Sequence, residues 1–171
     1  SRILGNVLLS QGYDVKVSEV HGMSQRGGSV VTYIKFGEKV YSPVIEKGQA
    51  DIIVSFEALE AARWVSFLKK GGKLVMNTQE IEPMPVITGA AQYPANIVDT
   101  LKSLGEDVIA VDALSLAEQA GTSRAVNVVL MGVISHILDF GDKVWNDALE
   151  QCVPAKVLEV NKKAFGLGRN A

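Results

Sequence analysis

Residues 50–77, ADIIVSFEALEAARWVSFLKKGGKLVMN, decide the fold class of this chain. The run 50–55 is short and apolar, which predicts a buried strand, and residues 73–77 predict a second strand. Residues 57–70 predict a helix that Gly71 and Gly72 end, with Lys69 and Lys70 at the negative end of its dipole. Strand, helix and strand in this order form a βαβ unit, whose crossover we expect to be right-handed.

The alternation of helix and strand continues on both sides of this unit. We predict helices over residues 3–9, 95–104 and 115–119, each ended by a nearby glycine, and strands over 15–20 and 107–111. Residues 29–34 and 40–44 predict an antiparallel hairpin. Residues 80–93 predict an irregular connection or a short extended piece at 85–87. Helices at 145–151 and 154–165 and a frayed tail close the chain. The predicted fold is α/β, a single domain over residues 1–171 with a three-layer, mostly parallel, Rossmann-like sheet and an added β-hairpin.

Composition excludes several classes of function. The 171 residues are 47% hydrophobic and 6% aromatic, which predicts an aliphatic core. A net charge of −2 without a block of Lys or Arg argues against a nucleic-acid partner. Neither an apolar run of about 18 residues nor a signal-peptide pattern occurs, so we expect a cytoplasmic protein without a membrane partner. The lone Cys152 cannot hold an iron–sulfur cluster, which needs about four thiolates.

A nearly continuous apolar stretch at residues 124–138 predicts a helix that is buried on most of its circumference. Either this helix crosses the centre of the domain or another subunit covers it. We favour the subunit, and therefore an oligomer. His136 in this helix is expected to be a hydrogen-bonded core or interface residue rather than a metal ligand, because His21 is the only other histidine. We predict no metal site and no complete catalytic set in the chain.

The densest group of polar residues, HGMSQRGGS at positions 21–29, follows the predicted strand 15–20. Glycines let a ligand approach the backbone, and consecutive turn amides form an anion nest. An arginine guanidinium offers a planar, two-pronged donor set to a phosphate or carboxylate. A tight turn with a solvated arginine is the alternative. The candidate binding residues are His21, Gly22, Ser24, Gln25, Arg26, Gly27, Gly28 and Ser29.

Three further candidates lie at the ends of predicted parallel strands. Ser55 ends the strand 50–55, Glu57 follows it, and Asn77 ends the strand 73–77. Ligands of open α/β sheets bind outside the carboxyl ends of the strands, which is why these side chains are candidate site residues. The alternative is that Glu57 caps its helix and Asn77 closes its strand. A second small polar turn at residues 121–123 is expected to face the site. Asn127, one helical turn later, either contacts a ligand or pairs with the backbone.

The decapeptide HGMSQRGGSV at positions 21–30 resembles a signature of the gamma-type subunit, or domain, of the 2-oxoacid:ferredoxin oxidoreductases, most closely the beta subunit of indolepyruvate ferredoxin oxidoreductases. Relatives usually open with an apolar strand and a glycine-rich turn before the first helix. This chain starts as if inside that helix, so we expect the first strand to be missing from it. Further matches are Ala50-Asp51-Ile52-Ile53, Glu57-Ala58, Gly71-Gly72, Val75-Met76-Asn77-Thr78, Pro154, Glu159, Asn161, Ala164-Phe165 and Gly168.

The resemblance implies a subunit of an enzyme that converts a 2-oxoacid and coenzyme A into acyl-CoA and CO2 and reduces ferredoxin. It also implies that thiamine diphosphate and iron–sulfur clusters belong to a partner catalytic subunit. The gamma-type domain of relatives is associated with closing over the active site and with coenzyme A. We therefore expect an oligomeric chain that is inactive alone and contacts ferredoxin indirectly. The alternatives are a stand-alone nucleotide-binding module and a structural oligomerisation module.

Overall fold

The computed structural model of the protein describes residues 1–21 and 30–171, without the side chain of His21. Single 3-10 turns lie at Val65–Phe67, Ser123–Ala125 and Ala155–Val157. In chain order the helices and strands are α1 Arg2–Ser10, β1 Asp14–His21, β2 Val30–Gly37, β3 Ala50–Ser55, α2 Ala58–Trp64, β4 Leu68–Asn77, α3 Met84–Ile87, α4 Ile97–Ser103, β5 Asp107–Val111, α5 Ala113–Ala120, α6 Val126–Ile137, α7 Asp142–Cys152 and α8 Leu158–Arg169.

These elements group into two compact units, residues 1–45 with 139–158 and residues 46–138 with 159–171. The first unit contains α1, α7 and a hairpin of β1 and β2. The second contains the parallel sheet of β3, β4 and β5 with its helices. An α/β fold with a parallel sheet and an added antiparallel hairpin is thus confirmed, whereas the single domain over residues 1–171 stays a prediction.

In the first unit, α1 packs against α7 through side chains that are fully buried, among them Leu8, Trp145 and Leu149. Helix α1 ends where predicted, because Gly12 takes a left-handed backbone with φ +83° that a side chain would strain. Strand β1 then pairs with β2 in an unbroken antiparallel register from Asp14↔Gly37 to His21↔Val30.

The predicted pairing of residues 29–34 with 40–44 is wrong, because the first unit uses a different partner for β2. Residues 40–44 form no strand, and β2 pairs with β1 instead. The backbone N–H of Val40 donates to the Asp14 carboxylate at 2.8 Å, so this segment is tied to the start of β1 by a side chain rather than by a ladder. Pro43 lacks the N–H that a ladder would need.

In the second unit, β3, β4 and β5 lie side by side in that order and are all parallel, as the βαβ pattern predicts. Helices α4 and α5 and strand β5 also lie close to their predicted positions. Of the two alternatives for residues 80–93, the extended piece at 85–87 is wrong, because Met84–Ile87 forms one turn of helix. Helix α2 and β4 pack around a core formed by Ala58, Ala61, Leu68, Leu74, Met76, Ile97 and Leu101.

The predicted end of helix α2 is wrong by six residues. The helix ends at Trp64, and β4 starts at Leu68, so Gly71 and Gly72 lie within a strand. Leu68 pairs with Ala50 and its side chain is buried. This pairing and burial stabilise residues 68–72 as a strand rather than as a continuation of the helix. A Cβ on Gly72 would lie 2.9 Å from the backbone oxygen of Asp51, so this glycine permits close approach of β3 at the register shift rather than ending a helix.

Helix α6 is buried within its own unit, which corrects the expectation that another subunit covers it. Eight of its residues are buried in the single chain, and α6 packs on β4, α5 and α8. Helix α8 continues to Arg169, so the predicted fraying from residue 166 is wrong. Its Gly168 lies against the backbone of Val129. Of the helices that the structure describes, none combines the length and the hydropathy of a membrane span.

Candidate functional site

The carboxyl ends of the three parallel strands bring together the candidates predicted there. Ser55 ends β3 and pairs with Met76, and Asn77 ends β4 and pairs with Val111 at the end of β5. Glu57 follows directly after β3. Ser55, Glu57 and Asn77 have exposed fractions of 6%, 7% and 0%, which is unusual for polar side chains at the edge of a sheet.

Glu57 is the centre of this edge, because both of its carboxylate oxygens accept hydrogen bonds. One oxygen accepts from the backbone N–H of Glu60 at 2.8 Å and so caps the start of α2. The other accepts from the backbone N–H of Ile81 at 3.1 Å and from the hydroxyl of Tyr93. The Tyr93 oxygen in turn accepts from the backbone N–H of Leu59 at 3.1 Å. The carboxylate therefore joins α2 to the segment that follows β4.

These contacts set the ionisation of both side chains. Burial alone would raise the pKa of the Glu57 carboxyl, but hydrogen bonds from Tyr93 and from the backbone amides of Glu60 and Ile81 outweigh it, and the pKa lies below its ordinary value. For Tyr93, burial and then the hydrogen bond to the charged Glu57 raise the pKa well above its ordinary value. Glu57 is consequently an anion at neutral pH and Tyr93 a neutral donor, an arrangement that holds structure and is not poised for proton transfer.

Asn77 joins three segments at the same edge. Its amide nitrogen donates to the backbone oxygen of Phe56 at 3.1 Å and to the side-chain oxygen of Gln79 at 3.3 Å. Its amide oxygen accepts from the backbone N–H of Ala113 at 3.0 Å, at the start of α5. Both donor hydrogens and one acceptor site of the amide are thus used within the protein.

Ser55 also bonds within the turn, since its hydroxyl donates to the backbone oxygen of Glu57 at 2.6 Å. All three candidates therefore form hydrogen bonds within the protein. Glu57 caps its helix and Asn77 bonds at the end of its strand, as the alternative interpretation of these two residues predicted. The three residues lie together at the carboxyl ends of the strands, as expected. That any of them contacts a ligand stays a prediction.

The polar signature lies mostly outside the described residues. Gly22, Ser24, Gln25, Arg26, Gly27, Gly28 and Ser29 all belong to residues 22–29. The strands on either side are described, and their ends lie side by side because His21 pairs with Val30. The binding roles predicted for these seven residues and for His21 stay predictions.

The remaining polar candidates have local roles. Thr122 accepts a hydrogen bond from the backbone N–H of Arg124 at 3.3 Å, and Asn127 is exposed on α6. His136 is hydrogen-bonded as expected, through Nε2 to the backbone oxygen of Arg169, but it is exposed rather than in the core. Within residues 1–21 and 30–171, no three His, Cys, Asp or Glu side chains group closely enough to hold a metal ion.

Sequence reasoning missed Tyr93 and Gln79. Tyr93 bonds to a residue 36 positions earlier, in a segment with no periodic pattern, so no local signal pointed to it. Gln79 is two residues beyond Asn77, and its backbone oxygen accepts from Ala58 at 3.0 Å. A polar residue just past a predicted strand end was the only signal available for it.

Comparison with known proteins decides the family. The profile of the family described as pyruvate ferredoxin/flavodoxin oxidoreductase matches residues 1–171, the whole chain. This chain belongs to that family. A relative from Thermococcus kodakarensis, indolepyruvate oxidoreductase subunit IorB, is 42% identical over 178 residues, which cover 100% of this chain and 87% of the relative. The expectation that the chain is a subunit of an oxidoreductase is confirmed.

Two solved structures share the fold of this family member. The gamma subunit of a keto/oxoacid ferredoxin oxidoreductase from Geobacter sulfurreducens superposes with a TM-score of 0.68 at 19% identity, over 98% of this chain and 86% of that one. The 2-oxoglutarate:ferredoxin oxidoreductase from Magnetococcus marinus, solved with 2-oxoglutarate, coenzyme A and succinyl-CoA bound, gives a TM-score of 0.71 at 16% identity. The match covers 98% of this chain and 27% of that longer one. These similarities confirm the predicted fold class.

Proposed function

We propose that this chain is the gamma-type, non-thiamine subunit of an indolepyruvate-type 2-oxoacid:ferredoxin oxidoreductase. The reaction consumes a 2-oxoacid and coenzyme A and yields acyl-CoA and CO2, while ferredoxin takes up the electrons. The observation that carries the proposal is the 42% identity, across the whole chain, to a protein named indolepyruvate oxidoreductase subunit. Indolepyruvate, or another aryl pyruvate, is accordingly the first 2-oxoacid to test.

Thiamine diphosphate and the iron–sulfur clusters belong, in this proposal, to a partner catalytic subunit. The cluster does not fit this chain, because its only cysteine is Cys152 and a cluster needs about four thiolates. Cys152 is moreover half-buried, with its sulfur 3.8 Å from the backbone oxygen of Arg2. The chain is therefore inactive alone, and its contact with ferredoxin is indirect.

The contribution of this chain is to bind coenzyme A and to close over the active site. Arg26 binds an anionic group of coenzyme A, and Ser24, Gln25 and the amides of Gly27 and Gly28 complete the anion nest. The β1–β2 hairpin supports this role, since it holds the two ends that flank residues 22–29 next to each other. The Magnetococcus marinus enzyme has coenzyme A bound, which makes this the first ligand to test.

The variant Arg26→Ala, in complex with the catalytic partner, tests this assignment. Loss of a charge-assisted hydrogen bond costs about 1.5–3 kcal/mol, so KM for coenzyme A should rise about 10–100-fold with little change in KM for the 2-oxoacid. Arg63→Ala is the matched control, because Arg63 is half-exposed and forms an ion pair with Glu60, one helical turn earlier. Size-exclusion chromatography checks that the complex still assembles. Unchanged KM and turnover with coenzyme A in Arg26→Ala would contradict the assignment.

Neither alternative function has an observation in its favour. An oligomerisation role rested on the apolar helix 124–138, but its Val129 has an exposed fraction of 0% in the single chain. A stand-alone nucleotide-binding module would bind nucleotide tightly without a partner, which calorimetry on the isolated chain tests. Cytoplasmic localisation stays part of the proposal.

A further inference from the structure

Four large apolar side chains are exposed in the two segments that follow β3 and β4, the strands that end at the carboxyl edge of the parallel sheet. We call Phe56, Ile81, Met84 and Ile87 the edge surface. Their exposed fractions are 49%, 57%, 66% and 61%, although each is a large apolar side chain. Phe56 precedes Glu57, whose carboxylate accepts from the backbone of Ile81, and Met84 and Ile87 lie three residues apart in α3. A group of large exposed apolar residues is typical of an interaction site.

The backbone that presents the edge surface is fixed at both ends. Ile81 is held by Glu57 at one end, and Tyr93 is held by the same carboxylate at the other. Between them, Val86 donates to the backbone oxygen of Pro83 at 2.8 Å, and Ala90 donates to that of Pro85 at 2.8 Å. A preordered surface loses less conformational entropy on binding, so its apolar contacts contribute more to affinity.

The charge beside the edge surface identifies the chemistry of its partner. Glu80 and Glu82 flank Ile81 and are exposed, and residues 78–93 contain no Lys, Arg or His. Neither carboxylate forms an ion pair with any residue that the structure describes. A complementary surface is therefore an apolar pocket with Lys or Arg at its rim.

The same charges disfavour a second copy of this chain as the occupant. In a two-fold symmetric dimer the same patch meets itself, so Glu80 and Glu82 of one copy would approach the same residues of the other. Like charges brought together across an interface oppose association. A different protein with a basic rim meets no such repulsion.

We propose that the edge surface docks into an apolar, basic-rimmed pocket of the catalytic partner subunit. This proposal rests on the proposed function only for the identity of the occupant. The contact fixes this subunit through the edge of its parallel sheet.

Isothermal titration calorimetry of the full chain against its catalytic partner tests the proposal. Ile81→Ser and Met84→Ser should each raise Kd about tenfold or more, as truncation of an interface anchor commonly does. Leu104→Ser, at an equally exposed leucine that follows α4, is the matched control and should leave Kd within about twofold. The double variant Glu80→Gln with Glu82→Gln should weaken binding at low salt and flatten its salt dependence.

Three other outcomes would overturn the proposal, and they differ in what they leave intact. Wild-type affinity in both serine variants overturns the edge surface while leaving the complex, and so the proposed function, intact. No binding of the wild-type chain to the partner overturns both. A wild-type dimer in analytical ultracentrifugation that Ile81→Ser dissociates would make a second copy the occupant. Thermal midpoints confirm that each exposed substitution leaves the fold unchanged.

Discussion

The hydroxyl of Tyr93 donates a hydrogen bond to the buried carboxylate of Glu57, which lies 36 residues earlier in the chain. The same carboxylate caps α2 and accepts from the backbone of Ile81. A single anion thus holds the turn after β3, the first turn of α2 and both ends of the segment after β4. The hydrogen bonds that stabilise the second unit therefore also hold the backbone that carries the edge surface.

Tyr93→Phe should lower the free energy of unfolding by about 1.5–3 kcal/mol, because it removes a hydrogen bond to a charged group that stays buried. Urea denaturation followed by circular dichroism measures the change. Tyr41→Phe is the control, since Tyr41 is 86% exposed and should change stability by no more than about 0.5 kcal/mol. Equal losses in the two variants would contradict the structural role of the Tyr93 hydroxyl.

Glu57 should make stability depend on pH in the acid range. Its pKa in the folded protein lies below the ordinary value of about 4.5, so the unfolded chain binds more protons between the two values. The contribution of Glu57 is therefore complete above about pH 4.5 and is lost as pH falls through the lower, folded-state pKa. The stability difference between wild type and Glu57→Gln should narrow from pH 6 to about pH 3. A difference that is constant or widens would show that the folded protein does not favour the charged carboxylate.

Asn77→Ala should destabilise the protein by about 1–3 kcal/mol, because it leaves the buried N–H of Ala113 without this acceptor and removes the donor to the partly buried backbone oxygen of Phe56. Asn127→Ala is the matched control on the exposed side of α6 and should be close to neutral for stability. Denaturant midpoints of the two variants measure the difference. If Asn77→Ala were equally neutral, the amide would not be joining β4 to α5.

Gly168→Ala should be strongly destabilising, since the added Cβ would lie 1.9 Å from the backbone oxygen of Val129 and force α6 and α8 apart. Overpacking of this kind costs about 2–3 kcal/mol or more. Gly166→Ala in the same helix meets nothing within 4 Å and should be neutral or stabilising by up to about 1 kcal/mol. Thermal melts of the pair test the close helix crossing, and similar midpoints would contradict it.

Sequence patterns predicted the parts of the fold that depend on local periodicity. The apolar run Ala50–Ser55, the helix before Gly105 and the strand Asp107–Val111 carry their own signals, and each formed where expected. Gly12, Gly105 and Gly121 follow helices in backbone conformations that favour glycine. The conformation of these residues depends on residues close to them in the sequence, so a local sequence pattern is sufficient to predict it.

The errors arose where distant contacts decide the structure. Gly71-Gly72 resembles a helix stop, but the pairing of Leu68 with Ala50 draws the segment into β4. The alternating residues 29–34 were predicted to pair with residues 40–44, whereas β2 pairs with the preceding strand β1. The burial of the helix at residues 124–138 was predictable from its apolar sequence. The elements that cover it were not, because they include α8, whose Gly168 meets Val129 from 39 positions later in the chain.

The candidate site shows the same division. Strand ends placed Ser55, Glu57 and Asn77 at one edge, because parallel strands end together. The distant partners, Tyr93 for Glu57 and the N–H of Ala113 for Asn77, each lie 36 residues later in the chain, and nothing in the local sequence relates them to the site. Hydrogen-bond partners at such distances require the folded chain.

The most direct test of the central claim is reconstitution of this chain with its thiamine-dependent partner, followed by viologen reduction with coenzyme A and a panel of 2-oxoacids. We predict that neither chain is active alone, that the mixture reduces viologen in the presence of coenzyme A, and that an aryl pyruvate such as indolepyruvate is the preferred substrate. Full activity of the partner without this chain would contradict its role as a subunit of the oxidoreductase.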